Sequence, residues 1–362
     1  MADLTELEKA LADKSQVKVI QMAPGVRVAI GEPFNYDAPT EKVTRQLVGA
    51  LRKLGFDYVF DTNFTADLVI LEEAAELLER IEHNGPFPML NSCCPGFAMF
   101  LEQKHPDLFM DHMSTIKSPM EAMGALIKTY FAQKKGLDAS KIYSVAAMPC
   151  VIKKMEAKRA DMKLADGTTA VDFVITTKEI SEFMKAKGLD LASCEESDFD
   201  LFMGQGSGGA RIFATTGGVT EAALRYCAKL KGITLAAPVV SSLRGFENTR
   251  ELTFDFGGLP VKILVVHFLK NAGPILADKE LRAKYHFIEV MACQGGCMGG
   301  AGQPLTTPET LQKRRAKLFS LDDTSAFKVS DENPELKQLY SEFLGKVGSE
   351  KSLALLHTRV KG

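Results

Sequence analysis

The chain lacks an excess of charge of either sign. Lys and Arg number 44 and Asp and Glu 46 in 362 residues, a net charge of −2. That balance argues against a general nucleic-acid binder and leaves room only for a local basic patch. It also lacks an apolar run of the ~18 residues that a membrane span needs; the longest candidate, around Val261–Leu269, is interrupted by Lys262 and His267. The opening Met-Ala-Asp-Leu-Thr-Glu-Leu-Glu-Lys has no basic stretch followed by an apolar core, so it does not read as an export signal. Cysteine is scarce: seven residues, an odd number spread along the chain. That excludes a disulfide-rich scaffold and gives an expectation of reduced thiols in a cytoplasm. The two close Cys-x-x-Cys pairs that zinc would want are missing. So is the Cys-x-x-Cys-x-x-Cys run of an electron-relay ferredoxin module. No internal repeat or low-complexity segment is present. Hydrophobic residues at 46% and charged residues at 25% are ordinary for a globular protein, which excludes general disorder.

What is present is an alternation of strand and helix signals. The first 15 residues read as a short amphipathic helix. Val17–Ala23 and Val26–Ile30, split by Pro24-Gly25, read as strand, turn and strand. Glu41–Leu54 has helical periodicity and ends at Gly55. Tyr58–Asp61 and Leu68–Leu71 read as short strands, followed by a charged helix over Glu72–His83. Further on come a helix over Pro119–Gln133, strands at Ile142–Ala147 and Val171–Thr176, and a helix at Ser181–Lys187. Gly204–Gly218 is glycine-rich and opens a helix at Val219–Leu230; it lacks the Gly-Lys-Ser/Thr ending of a phosphate loop and reads as close backbone packing. Glu251–Phe256 and Val261–Phe268 form a hairpin through Gly257-Gly258, and Phe287–Ala292 is the last strand. From about Pro304 the chain turns helical and charged. Thr307-Pro308-Glu309 and Asn333-Pro334-Glu335 each combine a cap, a first-turn proline and an acid. The pattern predicts an α/β body of two lobes with mainly parallel sheets flanked by helices, residues 1–303, and a helical C-terminal extension, residues 304–362.

Three cysteine sites share one placement. Cys93-Cys94, Cys150 and Cys293 each follow the carboxyl end of a strand, where open α/β sheets build ligand sites. Cys297 follows Cys293 across Gln294-Gly295-Gly296. A single such cysteine reads as a small buried hydrophobe. Several in turns flanked by Pro or Gly read better as thiolate ligands of one soft metal centre, approached by backbone N–H groups, at the junction of the lobes. Cys194 in an acidic loop reads as a surface thiol, and Cys227 in a periodic helix as core.

At these residues the sequence resembles a known family. Asn91-Ser-Cys-Cys-Pro-Gly96, Met148-Pro-Cys-Val-Ile-Lys-Lys-Met-Glu156 and Glu289-Val-Met-Ala-Cys-Gln-Gly-Gly-Cys-Met-Gly-Gly-Ala-Gly-Gln303 resemble, in order and spacing, the three signature segments of the iron-only, or FeFe, hydrogenases. The similarity runs from Gln21-Met-Ala-Pro-Gly-Val-Arg27 through Phe213–Arg225 to Leu355-Leu-His-Thr358. The resemblance implies an H-cluster in the cleft between the lobes: a 4Fe-4S cubane joined to a diiron subsite carrying carbon monoxide, cyanide and a bridging azadithiolate. On this mapping Cys94, Cys150, Cys293 and Cys297 hold the cubane, Cys297 bridges to the diiron unit, and Cys93 relays protons. Glu73, Ser114, Glu76 and Arg80 fall where the family moves protons from surface to thiol. Glu73, Glu76 and Arg80 also share one helix face, and on sequence alone that face reads better as solvated with a Glu76–Arg80 pair. The resemblance sets Lys153 against a cyanide, and Pro24, Gly25, Met120, Met148, Phe213, Ala214, Val219 and Met291 in the pocket wall.

The chain departs from the family pattern at five positions. Gly25 stands where serine or alanine is usual, Met120 for a glutamine, Ala214 for a glycine, Phe97 for a tryptophan and Gln294 for a proline. The expected consequence is fewer hydrogen bonds around the diiron ligands. The implied activity is reversible interconversion of dihydrogen with protons and electrons, exchanged with a ferredoxin or flavodoxin. Docking would need a local basic patch, with Lys153, Lys154, Lys158 and Arg159 as partial candidates. Loading would need diiron-site maturation proteins, and no nucleic acid or membrane is expected. Two rival readings share the segments: a hydrogen sensor of low turnover, and a non-catalytic iron–sulfur assembly relative.

Overall fold

A computed structural model of the chain describes residues 4–235 and 237–358. Among the described residues eight strands form two four-stranded sheets. The first contains β1 (Val17–Met22), β2 (Tyr58–Asp61), β4 (Ile142–Met148) and β5 (Phe173–Thr176) in the order β2-β1-β4-β5, all parallel. The second contains β3 (Met89–Leu90), β6 (Thr249–Asp255), β7 (Pro260–His267) and β8 (Phe287–Met291) in the order β3-β8-β7-β6. Within it β3, β8 and β7 are parallel and only the edge strand β6 is antiparallel.

The strand chemistry explains the layering. β4 and β5 are buried along nearly their whole length, as expected where helices cover both faces of a parallel sheet. β6 alternates buried and exposed residues, as an antiparallel edge strand with one wet face should. Register then fixes the site. Met22 pairs with Asp61 and Ala147, and Met148 with Thr176, so the carboxyl ends of the first sheet finish level. Leu90 pairs with Ile288 and His267 with Met291, which levels the ends of the second.

Two expected strands are helical. Val26–Ile30 belongs to a helix over Pro24–Arg27 and the turn after it, with Ile30 N–H donating to Val26 O at 3.0 Å. Leu68–Leu71 lies inside one long helix, Thr62–Glu82, capped by the Asp61 carboxylate accepting from Asn63 N–H at 2.9 Å. Residues 62–74 of that helix are all buried. A helix enclosed on every side carries no 3.6-residue polarity pattern, so its apolar run reads like a strand. The helix from Pro119 is interrupted by a wider π turn at Ile127–Phe131. Cys194 is buried rather than a surface thiol, its S–H donating to Asp190 O at 3.3 Å. The hairpin, the buried Cys227 and the two proline-started tail helices, Pro308–Asp323 and Pro334–Leu339, form as expected.

The tail packs into the body rather than beside it. Leu336, Leu339, Tyr340, Leu344 and Leu356 share one core with Phe60, Phe64 and Phe213. Arg314 is fully buried and ties the tail to Glu32 and to the last signature segment. Its Nε and Nη2 donate to Glu32 at 2.7 and 2.5 Å, and its Nη1 donates to Met298 O at 2.7 Å. Removing one partner of such a pair strands the other's charge and the freed carbonyls. Arg314→Met is expected to lower unfolding stability by about 3 kcal/mol, read from the urea midpoint; an unchanged midpoint would show that the clamp carries no energy.

Candidate functional site

The levelled strand ends deliver the cysteines. After β3, Asn91 locks the chain: its Oδ1 accepts from Val290 N–H at 2.8 Å, and its amide N–H lies 3.4 Å from Cys93 Sγ. Cys94 is the N-cap of the helix Pro95–Lys104. After β4, Pro149 O accepts from Gly302 N–H at 2.9 Å, which ties the Cys150 turn to the last signature segment. After β8 comes a loop that only glycine can make. Gly295 and Gly296 have φ of +77° and +74°, a region that side chains rarely adopt. A Cβ on Gly300 would sit 2.3 Å from Pro149 O. Gly295 N–H donates to His267 Nε2 at 2.6 Å, and Gln303 reaches back to Gly25 O at 2.7 Å.

Cys94, Cys150, Cys293 and Cys297 line one cavity of about 80 Å³, together with Cys93. The walls are mainly apolar and include Pro24, Gly25, Met120, Met148, Phe213, Ala214 and Met291. Val219 is not brought there; it is buried in the core that also contains Phe213. Among the described residues no group of three or more His, Cys, Asp or Glu side chains is gathered for a single ion. The thiols ring a space instead of a point, which suits a polynuclear cluster better than one ion. Burial, reinforced by neighbouring thiols, pushes Cys293 up to about 12 and Cys297 well above the ordinary thiol value. Backbone N–H groups of Ile152 and Lys153 oppose that rise at Cys150, and that of Ala301 opposes it at Cys293.

Among the described residues Lys153 is the one charged side chain in the wall. Its Nζ donates to Glu156 Oε2 at 2.7 Å and to Cys93 O at 3.2 Å. The protein thus supplies a counter-charge for this lysine, spaced three residues on, a pairing the sequence reading did not assign. The candidate basic patch does not form. Lys153 is buried, Lys154 is paired with Glu179, and Arg159 with Glu102 and Asp161. Lys158 is exposed.

The acids separate into two groups. Glu76 is the hub of one: Arg80 Nη2 donates to it at 2.7 Å, Ser114 Oγ at 2.8 Å and Thr115 N–H at 3.0 Å. Glu73 is the other. It is buried, accepts from the backbone N–H of Ser92 beside Cys93, and leaves its Oε1 without a partner. Burial first, then the charges of Glu76 and Glu289, raise its carboxyl to about 8. Cys93 rises for the same reasons, burial and then the Glu73 charge. Of the departures, Gly25, Met120 and Ala214 face the cavity, Phe97 is buried in another core, and Gln294 is exposed. A Cβ on Gly25 would stand 3.1 Å from Pro149 Cγ, so serine there would need a small shift of the proline. Sequence reasoning missed Thr115 and His357, which join the Glu76 group, although His357 stands in the quoted Leu355-Leu-His-Thr358 segment.

The fold and this donor set define an α/β iron–sulfur protein whose cluster site is a buried cavity between two sheets. Residues 16–301 match the model of the iron-only hydrogenase large subunit, C-terminal domain, and residues 308–360 that of the iron hydrogenase small subunit. The chain belongs to the iron-only hydrogenase family. It is 42% identical to the NADP-reducing hydrogenase subunit HndD of Solidesulfovibrio fructosivorans over 98% of this chain and 61% of that one. It is 38% identical to iron hydrogenase 1 of Clostridium pasteurianum over 99% and 63%. The chain therefore spans about three fifths of the length of these relatives. It is also 32% identical to protein NAR1 of Arabidopsis thaliana, over 98% of this chain and 80% of that one. Among solved structures, the apo [FeFe]-hydrogenase HydA1 of Chlamydomonas reinhardtii, variant C377H, superposes with a TM-score of 0.86 at 36% identity, covering 99% and 98% of the two chains.

The raised Glu73 carboxyl has a stability consequence with a definite sign. In the unfolded chain the group ionises near 4.5, in the folded chain near 8. Folding therefore takes up a proton between those values, and stability falls as pH rises through that window. In metal-free protein, the urea midpoint of Glu73→Gln is expected to gain steadily on wild type from about pH 5 to about pH 8 and to level off above. A pH-independent difference would contradict the buried neutral acid.

Proposed function

We propose that this chain carries an H-cluster and interconverts dihydrogen with protons and electrons. The observation that supports it most is that five cysteines from three separate segments line one apolar cavity whose only charged wall residue, among the described residues, is Lys153. Cys94, Cys150, Cys293 and Cys297 would hold the 4Fe-4S cubane, with Cys297 shared with the diiron subsite and its carbon monoxide, cyanide and azadithiolate ligands. When bound, that group supplies the metal site and the electron store at which protons, electrons and dihydrogen meet.

The chain's own residues do the rest. The apolar walls keep water out, which strengthens every charge interaction inside. Lys153 Nζ, its charge balanced by Glu156, sets N–H donors beside the cavity and suits an occupant that accepts a hydrogen bond. Cys93 Sγ, in the wall yet outside the ligand set, holds a proton as the neutral thiol. Glu73 stands next in line with a proton affinity near neutrality and a free oxygen, suited to giving and taking that proton. Glu76, Ser114 and Arg80 continue toward the surface. In this reading 1–303 is the catalytic unit and 304–362 the extension, whose described residues, 304–358, strap it and support the cleft.

The electron carrier is of the ferredoxin or flavodoxin class, diiron loading needs dedicated maturation proteins, and the working place is the cytoplasm. Among the described residues no helix is long and apolar enough to cross a membrane. A second reading, an iron–sulfur assembly relative without turnover, is favoured by the similarity to the cytosolic iron-sulfur assembly component 3 of Mus musculus, 31% identical over 97% of this chain and 76% of that one. The hydrogen-sensing alternative draws on the apolar Gly25, Met120 and Ala214 walls.

Infrared spectroscopy and hydrogen evolution from reduced viologen, after loading with a synthetic diiron precursor, separate all three. Carbonyl and cyanide bands with fast turnover support the enzyme, bands with slow turnover the sensor, and no bands the assembly relative. Cys93→Ala is expected to keep the bands and lose about 100-fold or more of turnover; near-normal evolution would remove the thiol from the proton path.

A further inference from the structure

The loop between Cys293 and Cys297 is gripped from behind by the end of β7. His267, the last residue of that strand, is buried and stands outside the cavity wall. Its Nε2 accepts from Gly295 N–H at 2.6 Å, and its Nδ1 lies 2.9 Å from Phe246 O. A backbone N–H can only donate and a carbonyl oxygen can only accept. The two contacts therefore fix the ring as the neutral tautomer with its proton on Nδ1. Burial first, helped by the Arg250 charge and opposed by Phe246 O and Glu247, holds the ring's proton affinity below the ordinary imidazole value. The Phe246 ring lies 5.6 Å from the imidazole and carries Arg315 of the tail helix over its face at 5.0 Å. The backbone after His267 grips the other end of the same loop. Phe268 N–H donates to Met291 O at 3.0 Å and Leu269 N–H to Ala292 O at 3.2 Å, directly before Cys293. Phe268 has a φ of +71°, a conformation that a bulky residue adopts only under constraint. Asn271 Nδ2 holds the bend by donating to His267 O at 2.6 Å. A Cβ on Gly295 would stand 2.6 Å from Leu311 Cδ2, so the tail helix closes the far side of the loop.

We propose that His267 is a positioning residue for the Cys293–Cys297 loop, holding it through Nε2 so that both thiols stay set for one cluster. Gly295 and Gly296 have no side chains, and both sit at positive φ, so the loop cannot anchor itself from within. The imidazole supplies the missing anchor at the middle of the Cys-x-x-x-Cys span. It also engages a backbone donor. A Gly295 N–H already given to nitrogen at 2.6 Å is not offered to a cluster sulfur, and hydrogen bonds to sulfur are one lever on cluster potential. Two substitutions separate the ring's two edges. A glutamine oxygen reaches about as far as Nε2 and can still accept from Gly295, whereas asparagine stops at the level of Nδ1 and keeps only the bond to Phe246 O. The proposal rests on the hydrogenase reading for what the thiols hold, but the ring's tautomer and its bond to Gly295 are independent of it.

Two measurements test it. In metal-free wild type with ¹⁵N-labelled histidine, long-range proton–nitrogen spectra at neutral pH are expected to show His267 with a protonated Nδ1 and a bare Nε2. A proton on Nε2 overturns the proposal. In protein reconstituted with iron and sulfide, His267→Asn is expected to lose its cluster absorbance to an iron chelator about tenfold faster or more, and to shift the cluster's midpoint potential. His267→Gln is expected to stay within about twofold of wild type and to keep its potential. Wild-type retention and potential in His267→Asn, or losses in His267→Gln as large as in His267→Asn, overturn it. Should His267→Asn fail to fold, the wild-type spectrum and the comparison of His267→Gln with wild type still decide. A wild type that takes up no cluster sinks the hydrogenase reading instead, and the spectrum alone then shows whether the ring holds Gly295.

Discussion

Strand ends from two separate sheets finish level and face a common cavity, and the placement of every candidate ligand follows from that. Sheet register is what enforces it. Met148 paired with Thr176, and Met291 with His267, fix where Cys150 and Cys293 emerge. A one-residue slip would flip each strand's side chains to the opposite face. The loops have no slack to absorb such a slip. Gly296 has a backbone oxygen 2.7 Å, and Gly300 one 2.3 Å, from where a Cβ would lie. The cavity is thus a product of packing and not of a flexible loop closing on a ligand.

Charge is handled sparingly around it. Lys153 and Glu156 neutralise each other inside the wall. Glu121 is buried with both carboxyl oxygens unpartnered, and burial together with the nearby Glu156 raises it to about 8. Glu73 is raised likewise on the other side. A protein that keeps acids neutral next to an apolar cavity can hold protons there without paying the full cost of buried charge. The tail contributes to this economy: Tyr340, Ser352, Gly348 and His357 surround Glu72, so residues 304–358 shape the electrostatics of the outer path as well as strapping the body.

Much of this was legible in the residues. Alternating strand and helix signals located the two sheets and the edge hairpin, and the position of Cys93, Cys94, Cys150 and Cys293 after strands located the cavity. The misread segments share one cause. Leu68–Leu71 and Val26–Ile30 are enclosed on all sides, and full burial erases the periodicity that separates helix from strand. Val219 and the Lys153–Arg159 patch were misplaced because a motif gives order along the chain, not the direction of a side chain or its ion-pair partner. His357 and Thr115 stayed silent because their meeting is a long-range contact, 242 residues apart, with no local signature on either side.

The most direct test of the central claim is iron anomalous scattering from crystals of the iron- and sulfide-reconstituted protein. The account predicts iron within the cavity bonded to the sulfurs of Cys94, Cys150, Cys293 and Cys297, with Cys93 close by and unbonded. Iron elsewhere on the chain, or a cluster held by Cys93 in place of Cys94, would contradict it.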